Sequence, residues 1–285
     1  MYTVDAVNEI ELLNDDCVVD RHDADQFFVD LLQRVPSSAG INNPFFLEFL
    51  NPANPAPSQA SLQIMLQNWL EQKRILRGSL VQGLEASVAT EYWQGQMAYL
   101  DLLQDEIQGC HVDLAWESLK QPAAIAGIDL PHSVDSQDSP MITDEMKELR
   151  SWQSEELRRD HMVFVAVAIF ERQSQPVLRR TYQALNAWYG DKLSAEQRKS
   201  FERYFAVHTS IRDITNESSF DDIIVNIPKN GGVEEKHAEI TADCFVASKK
   251  QITVGELKRC AEVFELVNSK QQPAWMSVYN KCVNA

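Results

Sequence analysis

Apolar residues recur at helical spacing along most of this chain. Between Ser58 and Gln108 there is no proline, and Leu62, Met65, Leu66, Trp69 and Leu70 mark one face. That pattern predicts two long helices joined near Gly83 or at Ala86 and Ser87. A short helix is expected over about Ala24 to Arg34, and another from His111 to about Leu119. From about Thr143 to Tyr189 the period predicts a third long helix, broken near Pro176, because a proline removes a backbone donor and crowds the preceding turn. Ser194-Ala195-Glu196-Gln197 and Thr253-Val254-Gly255-Glu256 match the capping box, in which the two end residues satisfy each other's free backbone N–H groups. They place helix starts near 195 and 254. Polar or Pro-rich stretches fill the rest: an arm over 1–23, a structured connection from Val35 to Pro57, and a surface loop from Gln121 to Pro140. A polar insert between His208 and Val233 contains Pro228, Asn230, Gly231 and Gly232. The reading is all-α, with one domain over 24–285 and its insert at about 212–232.

Composition narrows the function classes. The 285 residues are 44% apolar with only ten glycines, which disfavours turn-rich all-β architectures. A formal charge of −16 opposes nucleic acid as a partner, since a phosphate-binding face needs clustered Lys and Arg. The longest apolar run, Met162 to Phe170, is under half a bilayer span, and no signal peptide opens the sequence, so the expectation is a cytoplasmic protein without membrane association. Cys17, Cys110, Cys244, Cys260 and Cys282 lack paired spacing and are expected to be reduced thiols. Cys110 and Cys244 read as small packing residues.

Several ionisable residues fall on apolar helix faces, where an uncompensated charge is costly. Glu171 follows the apolar run 163–170 and shares a face with Phe164, Val167 or Ala168, and Leu178. His208 lies on the stripe of Phe201, Tyr204 and Phe205, and His237 on that of Val233, Ile240 and Cys244. Glu234 precedes His237 by three residues, the Glu-x-x-His spacing that offers one metal a carboxylate and an imidazole from one helix. Glu106 follows Leu102 and Leu103, and His111 precedes Leu114, Ala115 and Leu119 beyond the turn at Gly109. Glu106, His111, Glu171, His208, Glu234 and His237 together form an oxygen and nitrogen set suited to two iron or manganese ions. Singly, each reads more readily as a core hydrogen-bonding residue, and Glu171 as an ion-pair partner of an arginine such as Arg77; their joint placement favours metal. His161 stands ten residues from Glu171, roughly 15 Å along a helix, too far to share its ion. His22 and His132 fall in predicted loops and are expected to be exposed.

These segments resemble the haem-oxygenase-like diiron oxidase family, the iron-containing redox enzymes that include the CADD-like proteins, over most of residues 58–250. Leu102-Leu103-Gln104-Asp105-Glu106-Ile107-Gln108-Gly109-Cys110-His111-Val112-Asp113-Leu114 resembles the first signature of the family. Phe170-Glu171-Arg172-Gln173-Ser174-Gln175-Pro176 resembles its central helix, and Tyr204-Phe205-Ala206-Val207-His208 with Glu234-Glu235-Lys236-His237-Ala238-Glu239 its last signature. The resemblance implies a haem-oxygenase-like helical bundle holding two Fe(II) ions, with dioxygen as co-substrate. It further implies N-hydroxylation or oxidative C–C cleavage of a small amino or carboxylic acid. The family's last motif is His-x-x-x-Asp-x-x-His on one helix, whereas about 25 residues separate His208 from Glu234 here and Glu replaces Asp. Asp213 is thus an alternative to Glu234, and Asp105 to Glu106. Arg172 and Arg212 are the cations nearest the proposed ligands. Oligomeric state stays open between monomer and homodimer. The competing readings are a metal-free enzyme of the same fold, thiaminase-like or quinone-synthase-like, and a helical interaction module in which these residues form a polar network.

Overall fold

The amphipathic segments fold against one another as helices. The computed structural model describes residues 10, 13–89, 93–108, 111–132, 139–156, 163–209 and 251–285. Among them the chain forms α1 (Arg21–Gln33), α2 (Gln59–Ala89), α3 (Trp93–Gln108), α4 (His111–Ile125), α5 (Asp144–Ser151), α6 (Val163–Tyr189), α7 (Ala195–His208) and α8 (Val254–Val283). The described residues are thus mostly helical, and the all-α expectation holds. No described helix is long and apolar enough to cross a membrane.

Helix starts follow the caps written in the sequence. Ser194 and Thr253 both form full capping boxes, with Gln197 and Glu256 returning the bond. Thr143 caps α5 by accepting from the Met146 N–H, and Asp144 and Glu145 complement the dipole of its first turn. Asp20 caps α1, so that helix begins at Arg21 and takes in His22, which is exposed on a helix and not in a loop.

The structure moves three predicted boundaries. Gly83 does not separate two helices; α2 runs through it to Ala89. The missing side chain serves packing, since a Cβ there would stand 2.4 Å from Tyr99 Cε1 on α3. Ser87 also stays helical, its hydroxyl donating to the Leu84 carbonyl. Pro176 lies inside an unbroken α6: burial of Phe170, Leu178, Ala184 and Leu185 outweighs the ~3 kcal/mol of an interior proline. The helical segment instead ends at Ser151 and continues as a wider π-type turn over Trp152–Glu156. Likewise α4 passes Pro122 and ends at Ile125, beyond the predicted stop near Leu119, because Pro122 and Ala123 are buried.

The core is built around α8, which packs on α2, α5 and α6. Its Trp275 stacks on Phe45 at 4.8 Å and meets Phe46 edge-on at 4.9 Å, drawing the connection after α1 onto the bundle. Arg180 of α6 pins the same connection, donating to the carbonyls of Phe46 and Leu47; burial pulls its pKa below the ordinary guanidinium value. The arm is held too. Val18 and Val19 (β1) pair antiparallel with Thr253 and Ile252 (β2), and Lys258 binds Asp15. The arm of 1–23 is therefore a structural strap in its last residues.

Candidate metal centre

The site grows from the contact between α4 and α7. Ser118 of α4 donates to the Ser200 carbonyl and accepts from the Tyr204 N–H, fixing the two helices antiparallel. That register brings His111, at the start of α4, onto His208, at the end of α7. The ring centroids are 4.5 Å apart with the planes at 78°. Both residues are buried, His208 to 1% exposure. His208 Nδ1 lies 2.7 Å from the Tyr204 carbonyl, which can only accept, so Nδ1 carries a proton. In the neutral ring the lone pair therefore sits on Nε2. A backbone carbonyl holding one ring nitrogen is how proteins orient imidazoles that bind metal through the other.

The spacing can be tested against an ion. With a metal–nitrogen bond of ~2.1 Å each ring centre would stand ~3.2 Å from the metal, and two imidazoles at adjacent positions of an octahedral ion would lie ~4.5 Å apart. The observed separation suits two imidazoles sharing one ion. The same contact is also an ordinary edge-to-face ring pair.

Glu171 is fully buried on α6, which packs against both α4 and α7. Tyr182 of α6 stacks on Phe201 at 5.5 Å and lies 5.4 Å from Phe205. Continued antiparallel, that pairing sets His208 level with about Pro176, roughly one and a half turns of α6 short of Glu171. Burial and the nearby Glu202 push the Tyr182 hydroxyl up to about 12.

Of the six proposed ligands, the structure describes the side chains of His111, Glu171 and His208. It brings the two histidines together and sets Glu171 on the helix that backs both. Glu106 lies in the last turn of α3, its side chain outside the described residues, as is that of Asp105. Glu234 and His237 lie outside the described residues, and so do Asp213, Arg212, His161, Cys110, Cys244 and the insert at 212–232. Among the described residues no group of three or more His, Cys, Asp or Glu is placed to hold a metal ion.

His132 lies in a loop, as expected, but is less exposed than expected. It is half-buried, 2.8 Å from Asp113 and 5.0 Å from the Trp116 ring, because the chain after α4 folds back on that helix. Tyr204 escaped the sequence reading as more than a stripe residue. It touches the His208 ring at 4.2 Å and Trp69 of α2 at 5.8 Å, while Lys73 lies 5.6 Å from its ring centroid. Its one sequence signal is its place one turn before His208. Set beside known proteins, the chain matches no family model, no curated protein and no solved structure.

Proposed function

We propose that this chain is a non-haem diiron, dioxygen-dependent oxidase or oxygenase of haem-oxygenase-like fold, acting on a small amino or carboxylic acid. The observation that supports it best is the His111–His208 pair, buried and spaced as two imidazoles sharing an ion would be. His208, its Nδ1 proton committed to the Tyr204 carbonyl, presents Nε2 as the ligand atom. Glu171 supplies a buried carboxylate from α6 to offset the charge of a cation. Glu106, Glu234 and His237 complete the set. Bound iron would supply the activation of dioxygen. The protein's own part is to orient the donors, and the apolar walls of α6 and α7 keep water from the reacting atoms.

The test is anaerobic loading with ferrous iron, metal counting and a spectrum on mixing with oxygen. About two irons per chain are expected, with His208→Ala and Glu171→Ala each lowering the count. Protein that takes up no iron, and whose thermal stability is unchanged in both variants, would sink the metal reading in favour of a metal-free enzyme or an interaction module.

A further inference from the structure

The Tyr204 carbonyl fixes the proton of His208 on Nδ1, and a second line of contacts fixes the ring itself. The Tyr204 ring, fully buried, stands 4.2 Å from the His208 ring with the planes at 36°. The same ring meets Trp69 of α2 edge-on, at 5.8 Å and 84°. Trp69 is buried too, and its indole Nε1 donates to Thr181 Oγ1 of α6 at 3.2 Å. Thr181 gives its own hydroxyl proton to the Val177 carbonyl at 2.8 Å, so its oxygen is the acceptor for the indole. Buried side chains thus run in contact from α6 through α2 to His208 on α7.

Each link removes a freedom that packing leaves open. The χ2 torsions of Trp, Tyr and His are broad, unlike the staggered torsions nearer the backbone. A buried indole N–H turned away from its acceptor would be unmet, which is costly, so Thr181 selects one orientation of Trp69. The edge of Trp69 then limits where the Tyr204 ring can lie, because close-packed interiors pass a displacement on to the next neighbour. Tyr204 does the same for the imidazole. Turned over about χ2, His208 would set a carbon, not Nδ1, against the Tyr204 carbonyl.

We propose that Thr181 is a positioning residue for His208: through Trp69 and Tyr204, its hydroxyl oxygen keeps the imidazole in the orientation that binds metal through Nε2. The inference rests on the reading of His208 as a metal ligand. Thr181 is not itself a ligand, since its hydroxyl donates to Val177 and accepts from Trp69. Outer partners of this kind hold a ligating imidazole in place, and their loss weakens metal binding about 10- to 100-fold.

Two readouts test it. In metal-free protein carrying isotope-labelled histidine, NMR spectra of the imidazoles report which nitrogen of neutral His208 is protonated, with His208→Ala assigning the signal. Titration with cobalt(II), followed by its visible absorption, gives the metal affinity. The unaltered protein should show the Nδ1–H form alone. Thr181→Val keeps the side-chain shape without the acceptor; it should yield a mixture of the two forms and lower cobalt affinity about tenfold or more. Thr181→Ser, which keeps the oxygen, should behave as the unaltered protein does. Trp69→Phe, which removes the donor, should reproduce the mixture and serves if Thr181→Val does not fold. Ser61→Ala loses a different buried bond, to the Cys282 carbonyl, and should lower the melting temperature without moving either readout. The proposal is overturned if Thr181→Val leaves His208 in one form with unaltered affinity, if Thr181→Ser falls as far as Thr181→Val, or if Ser61→Ala disturbs His208 equally. Protein that takes up no cobalt counts against the metal reading alone, and the imidazole spectra then decide the positioning.

Discussion

Two glycines in one helix should respond unequally to alanine. Gly78 and Gly83 both lie inside α2, so each Gly→Ala change gains the same helix propensity, about 0.8–1 kcal/mol. Gly78 is exposed and a Cβ there meets nothing within 4 Å, so Gly78→Ala should stabilise by that full amount. At Gly83 a Cβ would stand 2.4 Å and 2.5 Å from two carbons of the Tyr99 ring, where carbon contacts are comfortable at ~3.5–4.0 Å. Tyr99 is 2% exposed, so its ring must retreat by about 1 Å into packed surroundings, an overpacking cost of ~1–3 kcal/mol. Because propensity cancels between the two variants, the difference in their unfolding free energies isolates that cost. Urea unfolding followed by circular dichroism should place Gly83→Ala ~1–3 kcal/mol below Gly78→Ala. In a Tyr99→Leu background the gap should shrink, since the two positions are in contact. If Gly83→Ala proves as stable as Gly78→Ala, the close crossing of α2 and α3 is wrong.

Three further outcomes are expected. Ser194→Ala removes the bond that Ser194 Oγ accepts from the Gln197 N–H in the α7 capping box and should lower stability by ~1 kcal/mol in the same urea assay, with Ser194→Asp retaining most of it. Thiol labelling with peptide mapping should find Cys17, which is exposed, modified in the native protein. Cys282 should react only after unfolding, because burial pushes its thiol up to about 12 and thiolate is the reactive form. Tyr182 should make the fold sensitive to alkali. Its hydroxyl is raised to about 12 in the folded protein from an ordinary 10.0, so the native state keeps a proton that the unfolded chain loses. The stabilising contribution is whole below about pH 10 and is lost as pH rises toward about 12. The fall in melting temperature between about pH 9 and about pH 11 should be smaller in Tyr182→Phe, and an equal fall would refute the assignment.

Local chemistry was the most legible layer of the sequence. Ser194 with Gln197 and Thr253 with Glu256 are self-contained motifs, and both caps form as written. The faces of α6 and α7 were equally plain, and Glu171 and His208 are buried where 3.6-residue periodicity set them. What misled was residues with two uses. Gly83 reads as a turn and Pro176 as a break, but Gly83 admits a neighbouring ring, and Pro176 is carried through by the burial around it. Neither is visible without the partner helix. The approach of His111 to His208 depends on the antiparallel contact of α4 with α7, a relation between segments that periodicity within either cannot express.

The central position of α8 has a consequence for biosynthesis. Because Trp275 completes the aromatic cluster with Phe45 and Phe46, and α2, α5 and α6 all pack on this helix, the bundle has no finished core until residues beyond Val254 have left the ribosome. The apolar faces of the earlier helices emerge first and must wait, exposed, for α8 to be made. Exposed apolar surface of that kind is prone to aggregation during translation, and a chain cut short just before Val254 is expected to be degraded and not to form a smaller working domain.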